Sequence, residues 1–316
     1  MLKLARAVSL AVVLAVAAPA AQAQTFPIKM ASHNKGYFKG FTSVVLPSYN
    51  FTVITANQAT AVGGGAASRL NKVLFGVDEA AMRKMVDEAH ADLRAQFTAA
   101  GIPVASNEAA QSALKASGVA LQPGNLDIVK ATGGITVNQS LRQSYATVGA
   151  TAAPMLGAFK SVLGGGPGAA AAGKAADAVA KGQPDGAMVV IPTLVVDFAN
   201  MQAGVQSNSR RTSATTSGGA TFTIRGVASG MFFAKVYNGG KNVFPFYARP
   251  EGDYGSAAPF ATDVAGGATV APTSAFGDNA ARGDAVVVNL AAWEGLVRDA
   301  YKSYNAILVK AALAGK

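Results

Sequence analysis

The sequence predicts an α+β fold: a single domain with a mixed, mostly antiparallel sheet packed on two long amphipathic helices. Three observations lead there. Two long segments, 78–100 and 291–312, repeat their apolar residues with a period near 3.6. The stretches 51–55, 188–198, 221–237 and 242–247 are rich in β-branched and aromatic residues, which suit a pleated, half-buried surface. Half of the 316 residues are hydrophobic and none is cysteine, so a packed core must hold the fold without disulfides. The rival architecture is a β-sandwich-like module with helices at its edges.

The chain opens on an address. Lys3 and Arg6 form a positive n-region, Val8 to Ala18 is an apolar run broken only by Ser9, and Ala21-Gln22-Ala23 is a small-x-small cleavage site before Gln24. This is the layout of a secretory signal peptide over 1–23, with the domain at 24–316. The apolar run is too short to span a bilayer as a helix. No Cys lies near the cleavage site, so the expected product is exported without a lipid anchor.

The mature fold begins with Val44-Val45-Leu46, stopped by Pro47, and with the strand Phe51 to Thr55. Gly63-Gly64-Gly65 is a break, and Leu70 to Phe75 reads as a second strand. Asp78 is placed to cap a helix carrying Met82, Met85, Val86, Ala89, Leu93 and Phe97 at helical spacing, with Gly101 at its C-terminal end. Ile102-Pro103-Val104 reads as a short strand, and Asn107 as the cap of a second helix reaching Ser117. Together these suggest a β-α-β unit.

Leu121 to Gly186 is dominated by Gly, Ala and Ser, with Gly164-Gly165-Gly166-Pro167-Gly168 unable to sit in a helix or a central strand. The expectation is a flexible insertion with one Ala-rich helix over 169–181. Strand signal returns from Met188 to Phe198, where Pro192 is expected to bend the strand or place it at an edge. Thr221 to Tyr237 follows, and Asn238-Gly239-Gly240 is a hairpin turn before a return strand at 242–247. Glu251 to Gly283 reads as loop. Asp284 to Leu290 leads into the last helix, which presents Trp293, Leu296, Val297, Ala300, Tyr301 and Tyr304 on one stripe.

Charge is sparse and basic: 27 Lys and Arg against 17 Asp and Glu, a formal +10, and an excess remains without Lys3 and Arg6. For an exported chain the available anions are lipid headgroups, lipopolysaccharide phosphates and acidic proteins rather than nucleic acid. Arg210 and Arg211 are the only adjacent pair of arginines. They sit in a polar turn between two β-rich stretches, and two guanidinium groups there suit phosphate or carboxylate. They are the candidate anion or partner contact, weighed against an ordinary solvated turn.

No catalytic set assembles from the sequence. Gly168 to Ala175 resembles a P-loop but has Ala175 where the motif needs a hydroxyl for magnesium. Ser32-His33-Asn34-Lys35 and Ser112-Ala113-Leu114-Lys115 fit Ser-x-x-Lys, while Ser48-Tyr49-Asn50 and Ser303-Tyr304-Asn305 fit Ser-x-Asn. The Lys-Thr-Gly that completes a penicillin-binding site is absent. His33 and His90 are the only histidines, and neither has a second His at metal-ligand spacing. Asp78-Glu79 and Asp87-Glu88 are adjacent in sequence and point apart on a helix. Asn50 and Asn138 head glycosylation sequons. The expectation is no catalytic residue, no cofactor and no metal.

The order of elements runs strand, helix with Met82 to Phe97, Gly101-Ile102-Pro103-Val104, short helix, the strand through Val189 to Phe198, hairpins and a terminal helix from Trp293. This order resembles the α/β accessory domains of the Gram-negative envelope, the CsgG-like and LpoB-like proteins. The chain differs from that group in lacking its common lipidation cysteine. The resemblance implies a periplasmic or outer-membrane protein that works by association. With the composition it gives a non-enzymatic envelope protein, self-associating or assisting secretion. The alternatives are a Ser-Lys cell-wall hydrolase using Ser32 or Ser112, and a carrier of an apolar ligand with Met231 to Tyr247 as a pocket wall.

Overall fold

The computed structural model describes residues 26–30, 39–63, 65–136, 139–156, 169–207, 212–226, 228–238, 242–265 and 284–314. Among these the chain is a mixed α/β fold, rich in strand, with four helices and a large curled sheet. The leader at 1–23 lies outside the described residues.

The first strands are β1 (Ser43–Val45), β2 (Asn50–Gly63) and β3 (Ala66–Phe75), followed by helices α1 (Glu79–Ala99) and α2 (Asn107–Ala116). Next come β4 (Leu121–Gln122), β5 (Gly124–Thr136), β6 (Gln139–Gly149), β7 (Met155–Leu156) and helix α3 (Ala169–Ala180). The chain continues through β8 (Ala187–Ser207), β9 (Thr212–Ile224), β10 (Gly230–Tyr237) and β11 (Asn242–Ala248). It closes with β12 (Tyr254–Ser256), β13 (Ala261–Val264), β14 (Asp284–Val288) and α4 (Leu290–Ala314). The main path of the sheet is β11-β10-β8-β2-β3-β14-β13, with β6 and β5 branching from β2 and β9 and β12 from β8. Pairing is parallel at β1–β8, β2–β8 and β3–β14, and antiparallel in the other ladders.

The middle of the sheet is buried on both faces. Met188, Val190 and Leu194 of β8, with Met231 and Phe233 of β10, join one core with Met85, Leu93 and Phe97 of α1 and Trp293, Val297 and Tyr304 of α4. The alternate residues Val189, Ile191, Phe232, Ala234 and Val236 join a second core with Ala110 and Leu114 of α2 and Ala175, Ala176 and Val179 of α3. A strand covered on both sides reads as a continuous apolar run, which accounts for 188–196. The apolar side chains of β10 are thus consumed by two cores; those of 242–247 are not described.

Helices α1 and α4 run parallel. Lys84 pairs with Glu294, Glu88 with Arg298 and Asp92 with Asn305, a succession that advances in the same direction along both. Asp78 caps α1, its carboxylate accepting from Ala81 N at 2.8 Å, and Gly101 follows the helix with φ +74°. Trp293 meets Phe51 edge to face with centroids 6.4 Å apart, fixing α4 against β2.

Several expectations are corrected. The segment 121–186 is not a flexible insertion throughout. It supplies β6, which pairs with β2 from Asn50↔Gly149 to Ala61↔Gln139, and β5, which pairs with β6. Small residues hid these strands because pairing comes from distant β2 rather than local propensity. Pro192 lies in the centre of the sheet, not at an edge. It falls where the neighbour of β8 changes from β1, last paired at Val189, to β2, first paired at Thr193. The side chain of Asn50 reaches into that gap and donates to the Pro192 carbonyl at 3.4 Å. Residues 102–104 make a single parallel bridge, Val44↔Val104, instead of a strand. Ser106 rather than Asn107 caps α2, and the supposed loop 251–283 contains β12 and β13.

Candidate functional site

The most developed polar site lies where the sheet forks. β2 is paired with β8 as far as Val53↔Val196, and from Ala56 onward β3 is its partner instead. β8 continues with β9 alone, from Ala199↔Ala220 to Ser207↔Thr212. The ladders of both parting strands are irregular at this point: β2 has an extra residue against β6 between Ile54 and Ala56, and β9 has one against β8 where Asp197↔Thr223 gives way to Ala199↔Ala220. Bulges of this kind bend a strand and re-aim its side chains.

Asp197 sits in the fork, 1% exposed. Its Oδ1 accepts from Asn57 Nδ2 of β2 at 2.7 Å and from its own strand at Phe198 N, 2.8 Å, and Ala199 N, 3.3 Å. Its Oδ2 accepts from Gln143 Nε2 of β6 at 3.1 Å and lies 3.8 Å from Arg225 Nη1, just after β9. Gln143 also donates to Asn57 Oδ1 at 2.7 Å, and Arg225 is shared with Asp253 at 3.3 Å. Burial pushes the Asp197 carboxyl above the usual carboxylate range; the Arg225 charge and the hydrogen bonds from Asn57, Ala199 and Phe198 oppose it.

Two buried hydroxyls near the seam lack a partner among the described residues: Thr55 Oγ1, in the β2 bulge, and the Tyr145 phenol, on β6 two positions from Gln143. Burial raises the Tyr145 pKa. The arrangement is a polar seam across β2, β6 and β8. Both oxygens of its carboxylate are already engaged by donors, so its chemistry is that of a tie between strands.

The residues singled out from sequence have separate fates. Arg210 and Arg211, between β8 and β9, lie outside the described residues, as do Ser32, His33, Lys35 and Asn138. Ser48 and Asn50 are buried. Ser48 Oγ donates to Asn50 Oδ1, and Asn50 Nδ2 donates to Thr193 Oγ1 and the Pro192 carbonyl, so the pair anchors β2 to β8. A buried Asn50 is no glycan acceptor. Asn305 accepts from the Tyr49 hydroxyl at 3.1 Å and donates to the Ala89 carbonyl and Asp92, tying α4 to α1.

His90 is buried and its pKa is pushed down to about 4, by burial first and then by Arg94, against the pull of Asp87. Asp87 holds Thr151, while Glu88 holds Arg298 and Tyr301, so the adjacent carboxylates do point apart. Ser112 and Lys115 are exposed on α2 and line one open groove of about 670 Å³ with Glu108, Gln111 and the segment 118–121. Gly168 of the P-loop-like run is outside the described residues, and Ala175 is buried in the second core.

Among the described residues no group of three or more His, Asp or Glu is placed to hold a metal. No described helix is long and apolar enough to cross a membrane, which leaves strands unaddressed. The site that sequence reasoning missed, Asp197, had one visible signal: it is the single charge in the run from Ala187 to Ala199. Comparison of the chain with protein-family models, curated proteins and solved structures finds no match.

Proposed function

We propose that this chain is an exported, non-enzymatic protein of the Gram-negative cell envelope that acts by association with itself, with other envelope proteins or with an anionic surface, in the manner of the CsgG-like and LpoB-like accessory domains. In this reading it is one α+β domain whose sheet rests on the two long helices α1 and α4. It works in the periplasm or at the outer membrane, with Arg210 and Arg211 as the anion contact.

The observation that carries the reading is the outer face of the β8–β9 ribbon. Asn200, Gln202, Ser213, Thr215 and Ser217 are exposed there, and none is charged. Surfaces kept soluble for their own sake are normally rich in Lys, Glu and Asp, whereas association surfaces are depleted of charge. The polar residues that sequence offered for chemistry at Ser48, Asn50 and Asn305 are occupied as structural ties, which favours a binding role.

Native mass spectrometry of protein purified from its host envelope tests this. The expected spectrum is an oligomer or a hetero-complex of chains beginning at Gln24. Protein retained in the cytoplasm with its leader intact, or a bare monomer throughout, would overturn it.

A second reading, a Ser-Lys cell-wall hydrolase, is favoured by one feature: Ser112 and Lys115 share a groove. Covalent labelling by a fluorescent β-lactam, lost in Ser112→Ala, would establish it.

A further inference from the structure

We infer that the β8–β9 ribbon beyond Asp197 is a hinged arm, held shut against β2–β3 by the Asp197 side chain. This does not depend on export or on any partner.

The hinge is in the backbone. Up to Val196, β8 is a fully integrated strand: β1 and then β2 lie on one side, β10 and then β9 on the other, and its buried side chains are shared between two cores as far as Ile191 and join the main core beyond it. One residue later the pairing with β2 ends, and among the described residues β8 has no ladder on that side from Asp197 to Ser207. Two register shifts fall at this level: β2 carries an extra residue against β6 at Thr55, and the β8–β9 ladder is interrupted between Asp197 and Ala199, with the extra residue on β9. A strand with an interrupted ladder bends more easily than one with continuous pairing. Phe198, 1% exposed, anchors the hinge in the main core.

Beyond the hinge, little apolar surface holds the arm down. Its less exposed positions are Met201, Ala203 and Val205 on β8, with Ala214, Thr216 and Ala220 on β9. These are mostly small, and most are only half-buried, unlike the near-zero exposure of 188–196. Three polar ties close the gap to β2–β3. The Ser68 and Thr216 hydroxyls are 2.8 Å apart. Asp263 bridges Lys72 Nζ at 2.7 Å and Ala220 N at 3.2 Å. Among these ties Asp197 is the buried carboxylate, whereas Asp263 is exposed and only its partner Lys72 is buried; Asp197 also joins β8 to β2, to β6 and to the end of β9 at once. Segments held by few buried apolar contacts open at a free energy well below that of global unfolding. Removing the Asp197 acceptors strands the Asn57 amide and two backbone N–H groups and takes from Gln143 Nε2 one of its two acceptors.

Hydrogen exchange followed by mass spectrometry tests this on the mature chain. Amides of 199–207 and 212–220 should exchange as one block, faster than those of 187–196. Asp197→Ala should speed that block about tenfold or more while leaving α1 and α4 unchanged. Because the chain has no cysteine, Ser68→Cys/Thr216→Cys gives a single designed disulfide across the gap. Its oxidised form should slow the block back to the rate of 187–196, and its reduced form should not. If Asp197→Ala fails to fold, the oxidised and reduced forms decide alone. An arm that exchanges in step with 187–196, or a disulfide without effect on it, would overturn the inference, as would Asp197→Ala changing every element equally.

Discussion

Asp197 of β8, one residue past its last backbone pairing with β2 at Val196, accepts a 2.7 Å hydrogen bond from Asn57 of β2. A side-chain contact thus takes over where the ladder stops. The same carboxylate is buried and its pKa lies above that of an unfolded chain. The folded state therefore binds the proton more readily than the unfolded one.

Stability from this group is fully present below the unfolded value, about 3.9, and is lost as pH rises through the higher folded value. Asp197→Asn removes the titration. Urea unfolding at several pH values should show wild type losing stability relative to Asp197→Asn as pH rises above about 4. A difference that does not move with pH would refute the assignment.

His90 makes the opposite contribution. Its folded pKa is lowered to about 4, so the unfolded chain takes up the proton first as pH falls. Stability is retained above the unfolded value, about 6.5, and is lost as pH falls toward 4, by up to about 3 kcal/mol. His90→Leu should flatten that part of the pH–stability curve. Thermal melts at pH 7 and pH 4.5 compare the two.

How much of this was legible in the sequence depends on where each signal resides. The capped, periodic helix α1, the terminal helix α4 and the hairpin at Asn238, whose φ is +51°, are written locally and can be read residue by residue. The β5–β6 pair is not, because its Gly, Ala, Ser and Thr residues acquire a strand role only through β2. Pro192 misled for a related reason. Its missing N–H is harmless only because two different strands share that side of β8, a fact of topology. Asp197 was visible as a charge in an apolar run, but Asn57 and Gln143 are 140 and 54 residues away.

Glycines separate close approach from mere tolerance. A Cβ on Gly226 would overlap the Gly252 carbonyl, whereas Gly173, inside α3, has nothing within 4 Å. Gly226→Ala should cost about 1–3 kcal/mol by forcing two backbones apart. Gly173→Ala should instead stabilise by about 0.5–1 kcal/mol, the helix-propensity gain. Chemical denaturation of both variants measures the opposite signs.

The proposed anion contact is tested by Arg210→Ala/Arg211→Ala. The double variant should bind anionic lipid vesicles more weakly in co-sedimentation at low salt, with the melting temperature nearly unchanged. Undiminished sedimentation would move the contact elsewhere on the basic surface or dismiss it.

Asn305 offers the sharpest isosteric test of the helix pair. It is fully buried, and its Nδ2 donates to Asp92 Oδ2 at 2.8 Å and to the Ala89 carbonyl at 2.9 Å. Asn305→Asp keeps the shape and the acceptor for the Tyr49 hydroxyl but replaces that donor with an oxygen facing a carboxylate and a carbonyl. Two carboxylates at such a distance cannot both ionise cheaply, so one must hold a proton with a raised pKa. That pKa sets the sign: the folded variant binds the extra proton that the unfolded chain lacks at neutral pH, so its stability is poorest there and recovers on acidification. The expected loss at pH 7 is about 2–3 kcal/mol, shrinking toward pH 5 relative to wild type. Asn305→Leu loses the same hydrogen bonds without adding a titratable group, so its deficit should stay constant with pH. Parallel pH dependences for the two variants would mean that Asp92 and residue 305 do not share a site.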